Sequence, residues 1–368
     1  MWPYWILFLI PALPAVFANP MQELRADGTR SVKFGASWVL VLVALALMIG
    51  LRDRVGGDWF AYVRHLFEAE TLTFAEAILL PDPAYNIINI ISLKTGMGIV
   101  GVNLFCGFVF SLGLVIYARS MPRPWLALAV SIPYMTIVVS MGYSRQGVAL
   151  GFALIGLVAL GRQRLLWFVF WIFLAATFHR SAVVLISIPL LTMNFRNFRN
   201  LPILLIVAVL MYTALLEGKT DQFVEQYIDN EMQSDGAFVR LLMNVVPGIL
   251  LVLFRKRFVV AKGERKIYLV MALLAIFSFG ALVVGGLPST ALDRIGLYLI
   301  PLQVFVFSHL PNAFGRFDSQ KQAVAFTVVL FYTVVLFVWL NYANFSHWWQ
   351  PYRMFPPLDI EEAYNMTR

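Results

Sequence analysis

The chain reads as an all-α, polytopic membrane protein, and three observations carry that reading. Hydrophobic residues fill 60% of its 368 positions and charged residues only 13%, against roughly a quarter charged in a soluble domain. Mean hydropathy is +0.78. Apolar runs recur along the whole length between short polar breaks, each run long enough for a helix to cross a hydrocarbon core of about 30 Å. No stretch is left for a separate soluble domain, so residues 1–368 are expected to form one integral membrane domain.

Taken in order, the runs place about twelve crossings at 3–18, 34–51, 96–118, 124–140, 145–161, 164–178, 181–194, 201–216, 240–254, 267–286, 295–310 and 322–342. The first ends in Val16-Phe17-Ala18, a faint signal-peptidase pattern, but no Lys or Arg precedes it, so it reads as a retained helix. Residues 84–95 read as an interfacial or re-entrant segment. The seventh crossing follows from Leu165–Met193, a 29-residue apolar stretch interrupted only by His179-Arg180. With arginines at both ends, that stretch is expected to turn at its middle, and one long tilted helix is the rival reading.

Basic clusters orient these spans by the positive-inside rule. Arg25, Arg30 and Lys33, then Arg119 and Arg123, Arg162 and Arg164, Arg196 and Arg199, Arg255 to Lys266, and Arg316 with Lys321 mark inside loops. The long outer loops are then 52–83, carrying Asp53, Asp58, Glu68, Glu70, Glu76 and Asp82, and 217–239, which reads as a solvated amphipathic helix or a lid. Both termini, including the tail 343–368, fall outside. The net charge of +8 is accounted for by these clusters and not by a nucleic-acid face.

On this topology the polar residues that remain unusual share one side. Arg145 opens a helix at the outer face, His179 and Arg180 lie at an outer turn, and Asp293-Arg294 opens another outer helix end. A charge at bilayer depth costs about 2.5–3.5 kcal/mol, so it is retained where it is used. Guanidinium groups bind phosphate through paired hydrogen bonds, and three near one face point to an anion such as a lipid phosphate or pyrophosphate. Gly147, Gly151 and Gly156 read as packing positions.

Several chemistries lose support. The single cysteine, Cys106, sits in an apolar run and excludes an intrachain disulfide. Gly96-Met97-Gly98-Ile99-Val100-Gly101 fits G-x-G-x-x-G but lacks the βαβ context that gives the pattern meaning. Walker A, H-E-x-x-H and G-x-S-x-G sequences are absent, and no Asp-x-Asp pair suggests a metal-dependent sugar transferase.

Arg52-Asp53 with Gly57-Asp58 and Tyr62, Pro83-x-Tyr85, Arg145-Gln146, Phe178-His179-x-Ser181-Ala182, Arg294-x-x-x-Tyr298 and Trp349-x-Pro351-Tyr352 together resemble the EpsG family of Wzy-like exopolysaccharide and O-antigen polymerases. The likeness runs from about Leu51 to Tyr352, with Asp82 where a glutamate is expected before the proline. It implies a GT-C-like membrane glycosyltransferase joining undecaprenyl-pyrophosphate-linked repeat units, without metal or cofactor, at the outer face of a bacterial inner membrane. Arg145, Arg180 and Arg294 are the expected pyrophosphate ligands, with Arg145 also counted as catalytic. Asp58 is the first choice of general base and His179 the second, although Asp58 after Gly56-Gly57 is also a usual turn residue. Tyr62, Tyr85, Gln146, Tyr298, Trp349 and Tyr352 are the expected substrate-binding residues. Lipid-linked donor and acceptor are the implied partners, with room for a chain-length regulator or copolymerase. An O-antigen ligase would use similar groups, and a flippase is the non-enzyme alternative. Charges clustered at one face, with no inverted repeat, favour the enzyme over the transporter.

Overall fold

The computed structural model describes residues 1–17, 34–192, 236–285 and 288–354. Within these residues the backbone is helical, its one β pairing being the isolated bridge Arg52–Met354. The expected helix 201–216 and outer loop 217–239 lie outside the described residues up to position 235.

Helices α1 (Trp2–Phe17) and α2 (Ala36–Gly50) are followed by an irregular loop and three short helices, α3 (Trp59–Glu68), α4 (Phe74–Leu79) and α5 (Pro83–Lys94). Then come α6 (Gly98–Arg119), α7 (Pro124–Ser131) running into a π-helical segment Ile132–Ser140, α8 (Ser144–Gly161) and α9 (Leu165–Phe178). A 3₁₀ turn, Arg180–Ile186, leads into α10 (Ser187–Thr192). After the undescribed stretch follow α11 (Ala237–Leu253), α12 (Lys262–Val284), α13 (Ser289–Leu299), α14 (Pro301–Phe314) and α15 (Asp318–Tyr342).

Four of these, Gly98–Arg119, Ser144–Gly161, Gly263–Val284 and Asp318–Tyr342, are long and apolar enough to cross a membrane, and α13 with α14 makes a fifth span bent by 43°. Six shorter apolar helices accompany them. The chain is thus a multi-pass membrane protein whose described helices follow most of the expected runs, but α3 and α4 fall within the stretch 52–83 expected to be a loop, and the expected crossing 295–310 is broken at Pro301 into α13 and α14. Large apolar side chains such as Leu40, Phe277 and Val284 are exposed, as suits a surface solvated by lipid.

The core is built around α6 and α8, which approach as closely as backbones allow. A Cβ at Gly113 would run into the carbonyl of Gly151, and one at Gly151 would lie 2.7 Å from the Phe110 Cα. Small residues at such a crossing are how membrane helices gain contact without a hydrophobic drive. This contact sets the first turn of α8, where Arg145 sits, beside the end of the bundle that carries loop 52–83.

The 29-residue stretch does break at its middle, so the long tilted helix is excluded. His179 takes extended backbone angles of φ −154° and ψ 109°, its N–H closing α9 on the Ala175 carbonyl, and the 3₁₀ turn packs back against α9. Residues 84–95 are helical as α5, with Pro83 at the first position, where its missing N–H costs nothing. The residue before it, Asp82, adopts the left-handed region at φ 56° and ψ 55°. A non-glycine residue held there costs about 1–3 kcal/mol and marks a position fixed by its surroundings.

Candidate active site

Loop 52–83 folds onto the ends of α6, α8 and α9 because Arg52 is built into it as a strut. Arg52 is only 1% exposed. Its guanidinium donates to the carbonyls of Ile49 and Val55, to Asn103 Oδ1 at 3.0 Å and to Ser144 Oγ at 2.6 Å. A buried arginine is tolerable only when its donors are satisfied, and here four acceptors from three segments do so. The following turn passes through Gly56, whose φ of +110° and contact with the Met141 carbonyl leave no room for a Cβ.

That turn delivers Asp58 to the N-cap of α3, just before its first residue Trp59. Its main-chain carbonyl accepts from Tyr62 N–H, but its side chain makes no helix-capping bond. The carboxylate, half-buried, instead lies beside Tyr62 and within electrostatic reach of Arg294 and Arg145. The turn-forming role is carried by the backbone, leaving the carboxylate for other work. Burial pushes the Asp58 carboxyl above the ordinary carboxylate range, with Arg294 and then Arg145 pulling it partly back.

Arg145 reaches across from α8 to a second carboxylate. Its Nη1 donates to Asp82 Oδ2 at 2.9 Å, and the guanidinium lies 5.8 Å from the ring centroids of both Tyr62 and Tyr85. Asp82 also accepts from the Arg180 main-chain N–H at 3.4 Å. Burial raises the Asp82 carboxyl above its usual range, opposed first by Arg145. This pair holds α5, α8 and the His179 turn together, and it was not foreseen from the sequence, which left Asp82 without a role.

His179 occupies the centre. Its Nδ1 meets Ser181 Oγ at 2.6 Å and its Nε2 meets Gln146 Nε2 at 3.2 Å. The Ser181 main-chain N–H also points at Nδ1, which makes that nitrogen the acceptor and puts the ring proton on Nε2. Gln146 Oε1 has no partner among the described residues, so a half-turn of the amide would let it accept from Nε2 and satisfy both groups. Ser181 Oγ reaches Tyr298 Oη at 3.5 Å. Arg145, Arg180 and Arg294 all lie within electrostatic reach of the imidazole.

The structure therefore gathers Asp58, Tyr62, Tyr85, Arg145, Gln146, His179, Arg180, Arg294 and Tyr298 at one place. The arginines differ in setting. Arg145 is neutralised by Asp82, whereas Arg294 makes no hydrogen bond or ion pair with a described residue. Asp293 does not pair with the adjacent Arg294: it is gripped by Arg240, at 2.6 Å from Nε and 2.9 Å from Nη2. Arg240 escaped the sequence reading because nothing in the chain near residue 240 marks a partner 53 positions away.

Trp349 and Tyr352 lie apart from this cluster, engaged in packing. Trp349 is 2% exposed. Its indole N–H donates to the Ile137 carbonyl at 2.8 Å, its own carbonyl accepts from Tyr4 Oη at 2.6 Å, and its ring closes on Gly142. Tyr352 Oη donates to the Met48 carbonyl at 2.8 Å. The Trp349 ring is closed to a sugar, and Tyr352 is half-buried with its hydroxyl already engaged. The tail instead straps the Asp58 turn, with Gly56 N–H on the Trp348 carbonyl and Asp53 N–H on that of Arg353, both at 3.0 Å. Exposed aromatics there include Phe345 and Trp348, the latter edge-on to the exposed Phe60.

The model of the EpsG family matches residues 36–354, most of the chain. No curated protein and no solved structure matches it.

Proposed function

The chain belongs to the EpsG family of Wzy-like polymerases, and from that premise we propose that it joins oligosaccharide repeat units carried on undecaprenyl pyrophosphate. The reading includes a GT-C-like arrangement of about twelve crossings, a site on the outer face of a bacterial inner membrane, and no need for metal. The observation that supports it best is the setting of His179 and Asp58 among arginines, of which Arg294 makes no hydrogen bond or ion pair with a described residue.

The chemistry asks for two things. As an acceptor hydroxyl attacks the anomeric carbon, the bond from that carbon to the pyrophosphate oxygen breaks and its electron pair leaves with the polyprenyl pyrophosphate. Fixed cations in a water-poor site stabilise that departing charge without reorganising. Arg294, Arg180 and Arg145 take this role, with Arg294 contributing most because no hydrogen bond or ion pair with a described residue holds its guanidinium.

The proton of the attacking hydroxyl goes to a base within hydrogen-bond reach. Asp58 fits better than His179. Both imidazole nitrogens are engaged, and an imidazolium would add a fourth positive charge to the cluster. His179 then orients the site through Ser181, Tyr298 and Gln146, while Tyr62 and Tyr85 hold Arg145.

Profiling glycans and lipid intermediates in cells lacking the protein tests this reading. Restoring wild type should restore the polymer ladder, whereas Arg294→Ala should leave single lipid-linked repeats on the outer leaflet. Long lipid-linked polymer without transfer would mean a ligase, and repeats trapped on the inner leaflet a flippase.

A further inference from the structure

Helix α11 carries two polar side chains one turn apart, Arg240 and Asn244, and both bind α13. Arg240 takes Asp293 through two hydrogen bonds of 2.6 and 2.9 Å. Asn244 Nδ2 donates to the Gly296 carbonyl at 2.8 Å. That carbonyl needs a partner for a reason written into the sequence. Pro301 has no N–H to give Leu297, so the Ile300 N–H turns to the Leu297 carbonyl at 3.4 Å and the Gly296 carbonyl drops out of the helical ladder.

Asn244 fills the gap and is itself braced. Its Oδ1 accepts from Gln303 Nε2 at 2.8 Å, and Gln303 Oε1 accepts from Tyr332 Oη at 3.0 Å. Asn244, Gln303 and Tyr332 are all buried. The helices also meet closely, since a Cβ at Gly296 would lie 2.7 Å from Leu241 Cδ2. Four helices, α11, α13, α14 and α15, are thereby locked at the bend.

The consequence falls on Arg294. Successive residues on a helix point about 100° apart, so fixing Asp293 against α11 fixes the direction in which Arg294 leaves α13. There it lies within electrostatic reach of both Asp58 and His179. We propose that Arg240 and Asn244 are positioning residues which set the rotation of α13 at its bend and so aim Arg294 at the anion. This rests on Arg294 being an anion ligand.

The test is a double-mutant cycle on inorganic pyrophosphate affinity, using full-length protein in lipid nanodiscs. Arg294→Ala should weaken binding roughly tenfold, the loss expected for one charged hydrogen-bonding group. Asn244→Ala should weaken it comparably, and adding it to Arg294→Ala should weaken it no further, because the residue it positions is gone. Arg240→Lys keeps the charge and loses the fork, so it should act in the same direction in folded protein and decides the matter should Asn244→Ala fail to fold. Losses that add to that of Arg294→Ala, or wild-type affinity in both folded variants, would overturn the positioning role alone. Wild-type protein that does not bind pyrophosphate would overturn the anion site and this inference together.

Discussion

Arg145 and Asp82, 63 positions apart, meet at 2.9 Å, with the carboxylate 8% exposed and held on a left-handed backbone. Two residues that would each be costly alone are stable only as a pair. Arg145 is therefore both the expected catalytic cation and a structural tie between α5 and α8.

Removing one partner exposes that dependence. Arg145→Ala leaves a buried carboxylate unpaired, a loss of about 3–5 kcal/mol for a fully buried pair and toward the lower end here, since the arginine side chain keeps 29% exposure. Thermal unfolding in detergent should show it, and adding Asp82→Asn should recover part of the loss. Equal stability of Arg145→Ala and wild type would mean that the pair does not tie the helices.

Activity should depend on pH through Asp58. Its carboxyl sits above the ordinary range because burial outweighs the pull of Arg294 and Arg145, and a base works only when deprotonated. Polymer formation should fall as pH drops through this raised value, above the usual Asp figure of about 3.9. Arg294→Ala removes a group that lowers it, so the Asp58 carboxyl, followed by difference infrared spectroscopy, should titrate at higher pH in that variant. Polymer formation that keeps the wild-type rate and acid limb in Asp58→Asn would exclude Asp58 as the base.

The tail is expected to act on stability and not on sugar recognition. Trp349→Ala empties a buried ring site and should cost about 3–5 kcal/mol. Tyr352→Phe loses one hydrogen bond, about 1 kcal/mol, and should leave the KM for lipid-linked repeats unchanged. A several-fold rise in KM for Tyr352→Phe at unchanged stability would return it to the substrate site.

Chelation checks the metal-free scheme. Leaving-group charge is assigned to arginines, so excess EDTA should leave polymerisation by purified protein intact, and loss that added magnesium restores would contradict it.

Much of this architecture is legible locally. The apolar runs mark the helices, and His179-Arg180 marks the break because a charge inside such a run needs a reason to be there. The gathering of Arg145, Arg180 and Arg294 follows from topology alone. What the sequence conceals is pairing across distance. Arg52 reads as a loop arginine until Asn103 and Ser144 close on it, nothing beside Asp293 announces its partner Arg240, and Trp349 reads as a substrate-binding aromatic until Ile137 and Gly142 enclose it. Each depends on which helices pack together, and side-chain type in one dimension does not carry that information.

The most direct measurement is reconstitution: purified protein in liposomes, supplied with its lipid-pyrophosphate-linked repeat, followed for both polymer and released polyprenyl pyrophosphate. The account predicts that the two appear together, one pyrophosphate freed per repeat joined, and that Arg294→Ala abolishes both in folded protein. Polymer growth that persists in Arg294→Ala, or wild-type protein that frees no polyprenyl pyrophosphate, would contradict it.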